Sequence, residues 1–69
     1  MARDIVIFFG RWVREERLRQ GLSQEQLAEK AGVHRTYIGM IERAEKNIGL
    51  RNIGSIADAL GVLVSDIFL

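Results

Sequence analysis

Apolar residues along this 69-residue chain recur at helical spacing in several stretches, and glycines separate the stretches. Phe9, Val13 and Arg17 fall at i, i+4 and i+8 with Trp12 beside them, which predicts a first helix over Ile5–Arg19 whose start is not clearly marked. Ser23 followed by Gln26 has the spacing of a capping box, so a second helix opens at Ser23, buries Leu27, Ala28 and Ala31, and ends at Gly32. Only Val33 and His34 separate that glycine from Arg35, where a third helical pattern begins with Ile38 and Ile41 on its inner side. Two short helices therefore meet at a tight corner. After a polar loop over residues 44–49, Leu50, Ile53, Ile56, Ala57 and Leu60 recur at spacings of three, four and seven and predict a fourth helix. Residues 62–69 are apolar around Ser65 and Asp66, which have the chemistry to cap one last turn. No strand pair, repeat or low-complexity stretch interrupts this all-α parse.

Length restricts the chain to one domain, because so short a chain buries only roughly 60% of the surface its unfolded form exposes. A composition of 48% hydrophobic and 28% charged residues is too apolar for a disordered tail. With no cysteine, stability has to come from helix packing or a partner subunit. The apolar run over residues 5–9 is far short of the ~20 residues a membrane helix needs, and Asp4 argues against a signal peptide. No membrane association is expected, and a cytoplasmic location fits. One histidine, no cysteine and no recognisable catalytic pairing argue against an enzyme, a metal site or a cofactor, and no small-molecule ligand is expected.

The formal net charge is only +1, so the distribution of charge matters more than its sum. Eight of the ten basic residues are arginine, whose planar fork suits phosphate and guanine edges. On a helical wheel the third helix places Tyr37, Ile38, Ile41 and Glu42 on one side. Arg35, Thr36, Gly39, Met40 and Arg43 fill the other side with no acid among them, a face that a phosphate-lined groove would accept. Arg17 and Glu42 each border an apolar stripe, where a lone charge is costly to desolvate, so they are expected to pair.

The segments "LSQEQLAEKAGV" at 22–33, "RTYIGMIER" at 35–43 and "IADALGV" at 56–62, with "FGRWVREERLRQG" at 9–21, resemble the lambda-repressor-like (Xre/Cro) helix-turn-helix family. Within it the chain looks most similar to the controller proteins of restriction-modification systems, which share "RTYI", "IER" and Asn47. It departs from them in carrying Gly39 and Met40 where they often have Ser and Gly, and His34 in place of an acidic or hydroxyl cap. The resemblance implies a compact five-helix DNA-binding domain over 1–69, with the helix-turn-helix over about 23–43 and a dimerisation region over about 50–69. The third helix would lie in the major groove of double-stranded DNA, with Arg35, Thr36, Tyr37 and Met40 toward bases. Gln24, His34, Arg43, Lys46, Asn47 and Arg51 would hold the sugar-phosphate backbone.

The resemblance also ties Arg17 to Glu42 as a positioning salt bridge. It places a homodimer contact at Leu63, Val64, Ile67, Phe68 and Leu69, where so many apolar groups would otherwise be exposed. The expected function is a transcription regulator acting as a homodimer on a pseudo-palindromic operator, of the restriction-modification controller type. An antitoxin-type or phage-type repressor would use the same DNA chemistry. A protein-binding module on this fold would instead need a hydrophobic anchor cluster on the outer face of the third helix.

Overall fold

A computed structural model describes residues 4–68. Five helices follow in order: α1 (Ile5–Arg19), α2 (Gln24–Ala31), α3 (Arg35–Glu42), α4 (Leu50–Leu60) and α5 (Val64–Ile67). No strand occurs among the described residues, and no helix among them is long and apolar enough to cross a membrane.

The helix bounds follow from local hydrogen-bond chemistry. Asp4 supplies the start signal for α1: its carboxylate accepts from the backbone N–H of Val6 at 3.0 Å and of Ile7 at 3.4 Å, satisfying donors that the first turn leaves unpaired. Ser23 and Gln26 form the expected reciprocal box on α2, with bonds of 3.0 and 2.8 Å. Gly32 ends α2 in the left-handed region at φ 73, which only glycine adopts without a Cβ penalty. At α5 the sequence expectation needs correction. Leu63 is the N-cap residue and Asp66 reaches back to its backbone N–H at 3.0 Å, while Ser65 sits inside the turn.

One core draws Phe9 and Val13 from α1, Leu27 and Ala28 from α2, Ile38 and Ile41 from α3, Ile56, Ala57 and Leu60 from α4, and Ile67 from α5. α3 packs against both α1 and α2, α2 also packs on α4, and α4 carries α5. The side-chain amide of Gln20 donates to the carbonyl of Leu60 at 2.8 Å, which fastens the end of α1 to the end of α4. Leu50 departs from the predicted α4 stripe. As the first residue of that helix it points outward and is 78% exposed.

Two expectations for the C-terminal segment change here. Ile67, expected at the dimer contact, is only 2% exposed and belongs to the core of the single chain, because the one turn of α5 directs it at the other helices. Phe68 is half-buried, and its ring lies 5.8 Å from that of Phe9 and 6.0 Å from that of Phe8. Leu63 remains 68% exposed, Val64 is half-buried, and Leu69 lies outside the described residues.

α1 and α3 cross unusually closely at Gly10. A Cβ at this position would lie 2.3 Å from the carbonyl oxygen of Ile41 and 3.3 Å from that of Glu42, both fixed backbone atoms. A glycine inside a helix normally weakens it by about 0.5–1 kcal/mol relative to alanine. The tertiary contact reverses that preference. Gly10→Ala is expected to destabilise the domain by about 1–3 kcal/mol, the range for overpacking. Urea unfolding measures it, and an unchanged midpoint would show that α1 moves away from α3 without penalty.

Candidate nucleic-acid interface

The corner between α2 and α3 sets the direction of the third helix. The backbone N–H of Val33 bonds to the carbonyl of Ala28 at 3.0 Å and that of Gly32 to Glu29 at 3.3 Å, closing α2 with the two bonds of a glycine cap. Two residues later His34 caps α3, its Nδ1 accepting from the backbone N–H of Thr36 at 3.0 Å. His34 thus does the work of the acidic or hydroxyl residue it replaces.

Behind α3 stands a buried brace. The guanidinium of Arg17 forms a two-pronged pair with Glu42, Nε to Oε2 at 2.7 Å and Nη2 to Oε1 at 2.9 Å, with side chains only 9% and 4% exposed. Its remaining Nη1 donates to the carbonyl of Leu22 at 2.9 Å. Gln24 at the start of α2 donates from Nε2 to Glu42 Oε1 at 3.2 Å. Four segments are thereby joined: α1, the turn after it, α2 and the last residue of α3. Among the described residues no buried side-chain nitrogen or oxygen lacks a hydrogen-bond partner. The Glu42 carboxylate raises the Arg17 pKa above its ordinary value, outweighing the opposing effect of desolvation.

On the outer side of α3, Arg35, Thr36 and Arg43 are exposed and Met40 is half-buried. Gln24, Arg35, Thr36, Gly39 and Arg43 line an open concavity of about 350 Å³ without a carboxylate. Gly39 differs from the wheel expectation of an open position. It is buried beneath the Arg43 side chain, and a Cβ there would meet Arg43 Nη1 at 3.0 Å and Gln24 Oε1 at 3.6 Å. Glycine at 39 therefore lets Arg43 fold back across the helix.

Carboxylates do flank this surface: Glu45 stands close by in sequence, whereas Glu25 comes from another helix and is invisible on the wheel of α3. Glu25 of α2 pairs with Arg35 Nη1 at 3.1 Å. Glu45 takes two bonds from Arg43, at 3.0 and 3.2 Å. The second pair holds the Glu45 carboxyl below and the Arg43 guanidinium above their ordinary pKa values, chiefly through those hydrogen bonds. Both pairs are open to solvent, which screens them and leaves each weak.

After α3 the chain turns at Ala44, which adopts φ 59, and its exposed Lys46 and Asn47 precede Arg51 in the first turn of α4. Tyr37 is half-buried, and its hydroxyl oxygen accepts from Asn52 Nδ2 at 3.0 Å. Sequence periodicity gave no hint of Asn52. No group of three His, Cys, Asp or Glu side chains gathers among the described residues as a metal ion would require.

A family model described as helix-turn-helix matches residues 13–67. The chain belongs to the helix-turn-helix family. It is 46% identical over 68 residues to the control protein C.BamHI of Bacillus amyloliquefaciens, covering 97% of this chain and 84% of that one. The crystal structure of the restriction-modification controller protein C.AhdI from Aeromonas hydrophila superposes with a TM-score of 0.90 at 39% identity, covering 96% of this chain and all of that one. The controller protein C.Esp1396I, solved as a tetramer in complex with its natural 35 base-pair operator, matches with a TM-score of 0.89 at 30% identity over 97% of this chain and 88% of that one. These relatives place the helix-turn-helix chain beside restriction-modification controllers, as its "RTYI" and "IER" segments indicated.

The brace makes a quantitative prediction. Arg17→Met should cost about 3–5 kcal/mol, because it leaves the Glu42 carboxylate buried without its partner, whereas Arg17→Met combined with Glu42→Leu should recover most of that loss. Chemical denaturation of the two single variants and the double variant provides the cycle. Additive losses would mean that the pair does not act as a unit.

Proposed function

We propose that this helix-turn-helix chain is a sequence-specific double-stranded-DNA-binding transcription regulator of the restriction-modification controller type. It acts as a homodimer on a pseudo-palindromic operator. The observation that carries this reading is the outer face of α3: an open, cationic and polar concavity formed by Gln24, Arg35, Thr36, Gly39 and Arg43, on a helix held from behind by the Arg17–Glu42 pair. A partner-binding face would need an apolar anchor cluster, and this one has Met40 alone. The relatives named above support the controller reading, and the family is one of regulators rather than enzymes.

In this reading the helix-turn-helix spans about residues 23–43. Arg35 exchanges Glu25 for the N7 and O6 of a guanine, Thr36 contacts a thymine methyl or a phosphate, and Tyr37 and Met40 line the groove. Gln24, Arg43, Lys46, Asn47 and Arg51 hold the backbone. His34 joins them, since a neutral ring that accepts at Nδ1 carries its proton on Nε2, available to a phosphate oxygen. Backbone contacts supply much of the affinity and its salt dependence, while base contacts select sequence. Two subunits joined near Leu63, Val64, Phe68 and Leu69, within the region over about 50–69, present their α3 helices to successive major grooves about 34–36 Å apart. The regulator works in the cytoplasm, at the nucleoid when bound.

Competition binding on operator variants tests these roles. Arg35→Ala should relax preference at one position per half-site, with a loss of about 1–3 kcal/mol on the preferred base. Arg43→Ala should weaken all sequences alike and lower the salt slope by about one unit. Equal losses on every variant would remove Arg35 from base reading. For assembly, sedimentation of Leu63→Asp should show monomer at concentrations where the parent is dimeric. Ile67→Asp is unsuitable because it would unfold the single chain. An unchanged Leu63→Asp dimer would move the interface elsewhere.

A further inference from the structure

The half-buried bond between Asn52 and Tyr37 links the first turn of α4 to the first turn of α3. Its direction has a chemical consequence. A phenol has one hydrogen to give and an oxygen that accepts, whereas an amide nitrogen only donates. Because Asn52 Nδ2 gives its hydrogen to the Tyr37 oxygen at 3.0 Å, the tyrosine's own hydrogen cannot point at Asn52 Nδ2. Among the described residues the Tyr37 hydroxyl makes no hydrogen bond besides this one. Tyr37 follows Arg35 and Thr36 directly, and Asn52 follows Arg51, so both partners lie in segments that the DNA-binding reading sets against the duplex.

We infer that Asn52 is a positioning residue that fixes the hydrogen-bond polarity of Tyr37, so that the phenol meets the operator as a donor. The inference rests on the DNA-binding reading and adds a selectivity to it. A donor at this position favours an acceptor on the duplex: a phosphate oxygen, guanine N7 or O6, adenine N7 or thymine O4. It disfavours the amino groups of adenine and cytosine, which also donate. Arg35 offers only donors as well, so α3 presents two neighbouring side chains of the same polarity to the groove. Asn52 achieves this from another helix without touching DNA.

A double-mutant cycle with Asn52→Asp and Tyr37→Phe tests the inference. The readout is the dissociation constant for a duplex that the unaltered protein selects from a random-sequence library. Aspartate only accepts, so it turns the tyrosine's hydrogen inward and withdraws it from DNA. Its added charge also repels phosphate, equally in the Tyr37 and Tyr37→Phe backgrounds, and the cycle subtracts that effect. Tyr37→Phe alone should weaken binding roughly fivefold, the size of one net hydrogen bond. Asn52→Asp should cost about fivefold more with Tyr37 present than with Tyr37→Phe.

A scan of neutral methylphosphonate linkages then identifies the acceptor. One linkage per half-site that erases the Tyr37→Phe penalty marks a phosphate oxygen, and a penalty that survives every linkage marks a base edge. Equal Asn52→Asp losses in both backgrounds, or parental binding by Tyr37→Phe, would overturn the inference while leaving the DNA-binding reading intact. Enrichment of no sequence by the unaltered protein, with no complex at low salt, would instead overturn both.

Discussion

The burial of the Arg17 guanidinium against the Glu42 carboxylate is the constraint on which the rest of the arrangement depends. Two opposite charges at 2.7 and 2.9 Å, with almost no solvent, tolerate little displacement, because every lost contact strands a charge in a poor dielectric. Glu42 closes α3 and Arg17 lies on the inner stripe of α1, so the pair fixes where the third helix ends relative to the first. Gly10 permits the helices to approach closely enough for this to happen. The carbonyl of Leu22 and the amide of Gln24 add one further hydrogen bond to each charge and tie in the second helix and the turn before it. Replacing such a network with apolar residues can preserve stability; what the ionic version contributes here is a fixed direction for α3.

A rigid support on the inner side contrasts with adjustable chemistry on the outer side. Arg35 and Arg43 are each held by an exposed carboxylate, Glu25 and Glu45, in pairs that solvent screens and a phosphate or base edge can replace. These carboxylates tether both guanidinium groups in the free protein, Arg43 folded back across α3, and would compete with DNA for them. The near-neutral net charge is compatible with a DNA-binding role for the same reason. The acids stand beside the proposed interface rather than in its concavity.

Most of the fold was legible along the chain because its boundaries depend on local chemistry. The Ser23–Gln26 box and Gly32 each act within one turn, and they marked α2 well. The Arg17–Glu42 pair was also accessible, since a charge beside an apolar stripe demands a partner. Asp4 was a visible cap that the apolar run after it obscured. Other features depend on residues distant in sequence. Gly10 looks like a weak point of a helix until the Ile41 carbonyl is brought against it. The inward direction of Ile67 cannot be inferred from the periodicity of a single turn, so only the packed fold distinguishes it from its exposed neighbour Leu63. Glu25 beside Arg35 and Asn52 beside Tyr37 arise only when separate helices meet.

The central claim is that the solvent side of α3, supported by the charge pair behind it, is the surface that enters the duplex. Amide chemical-shift mapping by NMR, with a cognate duplex titrated into the labelled protein, addresses it most directly. The account predicts the largest changes at residues 34–40 and 43–51, with the outward residues of α1, Arg11 and Glu15, little affected. Changes centred on α1, or none along residues 34–40 when the complex is saturated, would contradict it.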